Sequence, residues 1–258
     1  MKIIILAAGK GERLMPLTKN TPKPLLDMGN GATLLEEQIA SFQESGVVDE
    51  IVLVIGYLAD QVEAKLQLHQ ANGVRVRTIY NPFYEISNNL MSLWFARHEM
   101  DEDFLVSNGD NLFAPEVFAT LVEHTEDGIH LAISHKDEFT DDDMKVTLRD
   151  GVIARVSKQI PANESDAESP GLALVRGPRA RRLFDGQLER IGRRKEFLGG
   201  FWLEVFNQLF EHGVAVRPWF FDGQTQWQEV DFHSDVNNLR DVLELKNRTL
   251  LRTKEIAR

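Results

Sequence analysis

From Lys2 to Leu6 the chain carries an unbroken, β-branched apolar run that ends in Ala7-Ala8-Gly9. A run with no polar alternation predicts a strand buried on both faces. A long polar loop follows. Between Thr33 and Ser45, Leu34, Leu35, Ile39 and Phe42 then recur at helical spacing, and Gly46 supplies a stop. Ile51 to Ile55 repeats the buried-strand pattern. A helix is predicted from Ala59 to Leu68, a strand from Val74 to Tyr80, and a further helix after Asn88-Asn89. The strand Phe104 to Ser107 opens onto Asn108-Gly109-Asp110-Asn111. This β-loop-α alternation predicts an α/β fold with a mainly parallel sheet flanked by helices and ligands at the carboxyl ends of its strands.

The second half reads differently. Lys145 to Leu148 and Val152 to Val156 flank the turn sequence Arg149-Asp150-Gly151, which predicts a hairpin. The stretch Ser157 to Pro170 is polar and acidic, Leu172 to Val175 resumes a strand, Phe197 to Glu211 reads as helix, and Val214 to Phe221 as a late strand. From Asp235 onward Val236, Leu239, Val242, Leu243 and Leu250 form the inward stripe of an amphipathic helix. The expected organisation is one domain over 1–258: a core over 1–140, an inserted β-rich region on the acceptor side over 141–230, and a C-terminal helix over 231–258 packing back on the core. No internal repeat is present.

A formal net charge of -11 argues against a broad nucleic-acid surface, because a polyphosphate backbone is held by clustered cations. A small anionic ligand needs only a few local ones. The absence of cysteine removes disulfides, thiolate nucleophiles and cysteine-held metals. The run Ile3 to Ala8 is too short for the apolar region of a signal peptide, and no segment approaches the roughly 20 apolar residues that span a bilayer. The cytoplasm is therefore the expected compartment, with no membrane partner.

The densest chemistry lies in Leu6-Ala7-Ala8-Gly9-Lys10-Gly11-Glu12-Arg13-Leu14, followed by Pro16-Leu17-Thr18 and Thr21-Pro22-Lys23-Pro24-Leu25-Leu26. Gly9 and Gly11 let the backbone of Leu6, Ala7 and Ala8 approach a ligand and turn tightly. Lys10, Arg13 and Lys23 offer positive charge to phosphate oxygens, as an NTP-binding loop requires. The spacing is neither that of a P-loop nor that of the dinucleotide fingerprint. It resembles closely the signature of the sugar-phosphate nucleotidyltransferase family, Leu-Ala-Ala-Gly-x-Gly-x-Arg-Leu-x-Pro-Leu-Thr followed by Pro-Lys-Pro-Leu. The resemblance covers nearly the whole chain with decreasing specificity, and it implies a Rossmann-like fold of the GT-A type.

Further assignments follow from that resemblance. Ser107-Asn108-Gly109-Asp110-Asn111 is similar to the strand-end segment holding the family's first magnesium ligand, which places that role on Asp110; Trp227-Gln228-Glu229-Val230-Asp231 is similar to the late segment holding the second, which places it on Asp231. Mg²⁺ suits such a pair, since it is usually held by one or two carboxylates, substrate phosphates and water. Read locally, Asp110 also suits a turn or N-cap before Pro115, and Asp235 rivals Asp231. Lys145 matches the place where the family presents a lysine to a phosphate, with Lys158 as a companion. Within the family, Gly56-Tyr57, Asn81-Pro82-Phe83-Tyr84 and the stretch Ser87 to Trp94 look most like the cytidylyltransferases acting on phosphocholine or 2-aminoethylphosphonate. Asn81, Ser87, Asn88 and Asn89 would then read the nucleobase, although turn and N-cap duty suits the same residues. The aromatic residues Trp202, Trp219, Phe220, Phe221 and Trp227 could face a quaternary ammonium or pack in the core. Glu164, Asp166 and Glu168 could attract an amino group or remain a solvated acidic loop.

The resemblance thus implies a Mg²⁺-dependent transfer of CMP from CTP to a small phosphorylated or phosphonylated acceptor, with pyrophosphate released, and leaves room for a homodimer. On that resemblance Asp110 and Asp231 would hold the metal, Lys10 and Arg13 would face the departing pyrophosphate, and Lys23 and Lys145 would offset charge between the two anions. The alternatives are a sugar-1-phosphate thymidylyl- or uridylyltransferase and a catalytically silent nucleotide-binding regulatory subunit.

Overall fold

The computed structural model describes residues 1–69 and 75–243. The elements run β1 (Lys2–Leu6), α1 (Leu34–Ser45), β2 (Glu50–Ile55), α2 (Ala59–His69), β3 (Arg75–Tyr80), α3 (Asn89–Phe95), β4 (Phe104–Asn108), β5 (Asn111–Phe113), α4 (Pro115–Glu123) and β6 (Gly128–Ile133). There follow β7 (Lys145–Arg149), β8 (Val152–Ser157), β9 (Ala167–Glu168), β10 (Leu172–Arg176), α5 (Pro178–Gly192), α6 (Glu204–Glu211), β11 (Val216–Phe220), the single turn α7 (Gly223–Gln226) and β12 (Trp227–Glu229). A last helix, α8, occupies 233–243. The contact expected at Leu250 and the start of the expected strand at Val74 lie outside the described residues.

Seven strands form the central sheet in the order β11-β6-β10-β4-β1-β2-β3. The pairs β1·β2, β1·β4, β2·β3 and β6·β11 are parallel, while β10 runs antiparallel to both β4 and β6. The expected mainly parallel mixed sheet is therefore present. Alternation along each strand sends side chains to opposite layers. Ile4, Leu6, Val52, Val54 and Val106 face one core together with residues of α3, α5 and α6. Ile3, Ile5, Ile51, Leu53 and Leu105 face the other, against α1, α2 and α4. Because both faces are covered, these strands read as continuous apolar runs.

Helix starts follow local chemistry. Thr33 and Glu36 form a reciprocal capping box on α1, and Gly46 closes it at φ 70°. Proline opens α4 and α5, where its missing N–H has no intrahelical partner to lose. Strand β10 lies inside the central sheet, whereas β7, β8 and β9 form a separate antiparallel sheet and β5 pairs with β12. The expected helix over Phe197 to Glu211 is shorter, beginning at Glu204 after a 3₁₀ turn at Lys195–Phe197. The α8 helix packs Val236, Leu239 and Leu243 onto Leu14, Leu26, Met28 and Leu34, making a third core beneath the glycine loop. Among the described residues no helix is long and apolar enough to cross a membrane.

Candidate active site

Strand β1 has β2 on one side and β4 on the other, so the chain leaves their carboxyl ends in different directions and opens a crevice there. A cleft of about 310 Å³ occupies that position, lined among others by Leu6, Ala7, Ala8, Gly9, Gly11, Arg13 and Lys23. Gly11 sits at φ 63°, and a Cβ there would meet the Thr18 methyl at 3.0 Å. Gly109 is required more stringently: a Cβ would lie 2.6 Å from the Leu6 carbonyl oxygen. This close approach sets the Asp110 loop against the glycine loop.

Lys23 joins the two carboxylate-bearing segments. Its Nζ donates to Asp110 Oδ2 at 3.1 Å and to Asp231 Oδ1 at 2.8 Å. Burial alone would depress the Lys23 ammonium, but the charges of Asp110 and Asp231 outweigh it and hold its pKa above the ordinary lysine value. The other Asp110 oxygen, Oδ1, is buried and accepts no hydrogen bond from the described residues. Asp235, the rival for Asp231, is occupied: its Oδ2 accepts from the backbone N–H groups of Asp231 and Phe232, at 2.9 and 2.7 Å, at the start of α8.

Arg13 at the mouth donates to Asp142 at 2.9 and 3.2 Å and also to Asp231. Lys158 donates to Asp142 at 2.6 Å from the other wall. Lys10 is paired with Glu85 at 2.9 Å and does not line the cleft. Lys145 stands apart as well. It is 2% exposed, and its Nζ donates to the Thr140 carbonyl at 2.7 Å beneath the acidic loop 140–143, so Lys158 and not Lys145 brings its charge into the cleft.

Asn81, Ser87, Asn88 and Asn89 all line the cleft, but part of each side chain is already engaged. Asn81 is buried, donating to Ser92 Oγ and accepting from the Phe83 N–H. Ser87 Oγ donates to the Phe83 carbonyl. Asn88 caps α3 through its Oδ1, and Asn89 Oδ1 accepts from the Trp202 N–H. Among the described residues no protein acceptor takes a hydrogen bond from the side-chain amide N–H groups of Asn88 and Asn89. Of the aromatic candidates, Trp202 and Trp227 line the cleft, and Trp219 and Phe221 stack on each other at 5.8 Å outside it. Of the acidic candidates, Glu168 lines it, with Lys136 donating to its carboxylate at 2.9 Å.

Several lining residues have no counterpart among the sequence candidates, Asp142, Phe201 and Glu229 among them. Phe201 is 42% exposed and carries Lys158 over its ring. The Glu229 carboxyl is pushed up to about 8, first by shielding from water within the cleft and then by the negative charges of Asp110 and Asp231. Glu229 keeps an open face to solvent, so like-charge repulsion is the firmer of the two causes.

Six carboxylates (Asp110, Asp142, Asp143, Glu168, Glu229 and Asp231) and three basic side chains (Arg13, Lys23 and Lys158) line the cleft. With twice as many carboxylates as basic groups, this lining has the donor chemistry of a hard cation site. The unpartnered Asp110 oxygen beside Asp231 fits a hard divalent ion that takes few protein ligands. Among the described residues no group of three or more acidic or histidine side chains is arranged to hold a metal ion.

Residues 2–138 match the model of the nucleotidyl transferase family, more than half of the 258-residue chain. The chain is 39% identical over 113 residues to a choline-phosphate cytidylyltransferase of Streptococcus pneumoniae, covering 44% of this chain and 46% of that protein. It is 34% identical over 119 residues to a 2-aminoethylphosphonate cytidylyltransferase of Lancefieldella rimae, covering 43% and 46%. The aligned stretch thus spans less than half the length of each of these relatives. A solved structure of a CTP:phosphocholine cytidylyltransferase from Streptococcus pneumoniae superposes with a TM-score of 0.72 at 24% identity, over 94% of this chain and 98% of that one. At that identity the likeness is one of fold.

Proposed function

The chain belongs to the nucleotidyl transferase family, and from that premise we propose that it transfers CMP from CTP to a small phosphorylated or phosphonylated acceptor in a Mg²⁺-dependent reaction that releases pyrophosphate. The observation that carries this reading is the meeting of Asp110 and Asp231 on the Lys23 ammonium, at the mouth of a glycine-lined loop. The similarity to relatives named for phosphocholine and 2-aminoethylphosphonate supports CTP as donor and a phospho- or phosphono-compound as acceptor.

In the proposed reaction an acceptor oxygen attacks the α-phosphorus of CTP, the bond from that phosphorus to the oxygen bridging to the β-phosphate breaks, and pyrophosphate leaves with that electron pair. No covalent enzyme intermediate is needed. Asp110 and Asp231 would hold the metal, which when bound screens phosphate charge and favours attack on phosphorus. Lys23 stays between the two anions and offsets their repulsion. Arg13 exchanges Asp142 for triphosphate oxygens, and the free amide N–H groups of Asn88 and Asn89 face acceptor atoms of the base. Lys158, beside Phe201, serves the acceptor phosphate in place of Lys145, which the resemblance matched to a lysine presented to the acceptor's phosphate or to the α-phosphate.

A panel crossing CTP, UTP, dTTP and ATP with phosphocholine, 2-aminoethylphosphonate, glycerol phosphate and hexose 1-phosphates, read by pyrophosphate release, tests the proposal. CTP with a phospho- or phosphono-acceptor should turn over fastest. Turnover only with UTP or dTTP and a hexose 1-phosphate would replace it, and silence across the panel would sink it.

A further inference from the structure

Behind the cleft, the peptide that carries Asp110 is gripped by a side chain that does not line the cleft. Gln38, on α1 and 3% exposed, donates through Nε2 to the Gly109 carbonyl at 3.2 Å and to the Asn111 carbonyl at 2.8 Å. These are the carbonyls on either side of Asp110. The Asp110 carbonyl itself accepts from the Val230 N–H at 2.9 Å, so three successive carbonyls are held. Asn111 extends the brace: its Oδ1 accepts from Trp227 Nε1 at 2.9 Å, on the arm that leads to Asp231, and its Nδ2 donates to the Pro170 carbonyl.

Both N–H bonds of one amide are spent on this segment, while the Gln38 Oε1 stays buried with no hydrogen bond from the described residues. Leaving an acceptor unsatisfied in a core costs stability. What the amide supplies in return is the orientation of the backbone from which Asp110 projects.

We propose that Gln38 is a positioning residue for the metal-binding aspartate, fixing the carbonyls that flank Asp110 and so aiming its carboxylate at Asp231. This rests on the reading of Asp110 and Asp231 as metal ligands. Groups behind a ligand set its direction, and their loss weakens metal binding by about tenfold to a hundredfold.

The test uses the full chain and Mn²⁺ as probe, with affinity titrated by electron paramagnetic resonance and stability by thermal unfolding. Gln38→Leu should weaken Mn²⁺ binding about tenfold or more, and lower kcat more than it raises KM for nucleotide when metal is saturating. Gln38→Asn, whose amide is one methylene short of the carbonyls, should fall between. The control is Ser41→Ala on the same helix. Ser41 Oγ donates to the Phe113 carbonyl at 2.6 Å, so its loss removes a comparable brace away from Asp110 and should leave Mn²⁺ affinity unchanged. Wild-type Mn²⁺ affinity in folded Gln38→Leu, or equal weakening in Ser41→Ala, overturns the role. If Gln38→Leu does not fold, Gln38→Asn decides in the same terms. An unsubstituted chain that binds no Mn²⁺, alone or with CTP, would instead sink the metal reading of the proposed function and this role with it.

Discussion

At the scale of single residues the site turns on Lys23 and its two carboxylates. Removing the ammonium leaves Asp110 and Asp231 facing each other uncompensated, so Lys23→Met should lower kcat about a hundredfold or more. It should also enlarge the gain in melting temperature produced by Mg²⁺, because the ion then relieves the whole repulsion. Full turnover in that variant, followed by pyrophosphate release, would remove Lys23 from the mechanism. Asp231 and Asp235 separate in the same way. Asp231→Asn should abolish activity in a folded protein, while Asp235→Ala should keep activity and lose about 1 kcal/mol of stability with the helix start it holds. Denaturant titration beside steady-state kinetics distinguishes the two. That the glycine loop, Arg13, Lys23 and both aspartates meet at one cleft was legible because they stand in long motifs, whereas Lys10, from the same motif, pairs with Glu85 outside it. Glu229 was not legible, although a signal existed: in extended chain, residues two apart share a face, and Glu229 is two before Asp231. Lys145 and Ser157 face each other across the β7·β8 pair, with Lys158 one residue on. Nothing in the local sequence says which of the two lysines the hairpin turns toward the cleft.

At the scale of elements, the pattern of apolar positions found β1, β2 and β4 because burial on both faces leaves no polar interruption. It missed α5. That helix is rich in arginine and acidic residues, and only Ala180, Phe184, Leu188 and Ile191 mark its buried stripe, too few to stand out without the sheet they cover. The place of β10 within the central sheet was also beyond local reading, since strand order is set by long-range pairing. The C-terminal stripe, by contrast, falls at Val236, Leu239 and Leu243 as periodicity predicted, whereas Val242, also expected inward, is 46% exposed because it lies off the line that these three make along the helix; the packing has a consequence. Because α8 shares a core with Leu14 and Leu26, it braces the loop that carries Arg13 and Lys23. Leu239 is 2% exposed, so Leu239→Ala should cost about 2–4 kcal/mol, in line with large-to-small changes in cores. It should also raise KM for the nucleotide as the loop loses its support. A stability loss with unchanged KM would show that the loop keeps its shape without α8.

At the scale of the whole molecule, a net charge of -11 makes the pairing of buried carboxylates decisive for behaviour in acid. The clearest case lies on the side of the sheet away from the cleft, where Glu99, 5% exposed, accepts from Arg77 at 2.9 and 2.6 Å and from Lys2 Nζ at 2.9 Å. Arg77 also donates to Glu50 at 2.7 Å, so the network ties β1, β2, β3 and the turn before β4 together. The hydrogen bonds from Arg77 come first in holding the Glu99 carboxyl down to about 2 from its ordinary 4.5, opposed by burial and assisted by Lys2. Between those two values the unfolded chain takes up a proton that the folded chain refuses. The contribution of Glu99 is therefore complete above the unfolded pKa and is lost as pH falls through the folded one, an effect on the order of 2–3 kcal/mol. Stability followed by denaturant titration should fall between about pH 4.5 and pH 2. Glu99→Gln should be less stable at pH 7 and should show a shallower fall over that window, since the amide keeps the shape and loses the charge. An equally steep fall in the variant would place the acid sensitivity elsewhere, with Glu36, also held near 2 through its bonds to Lys65 and Thr33, as the next group to replace.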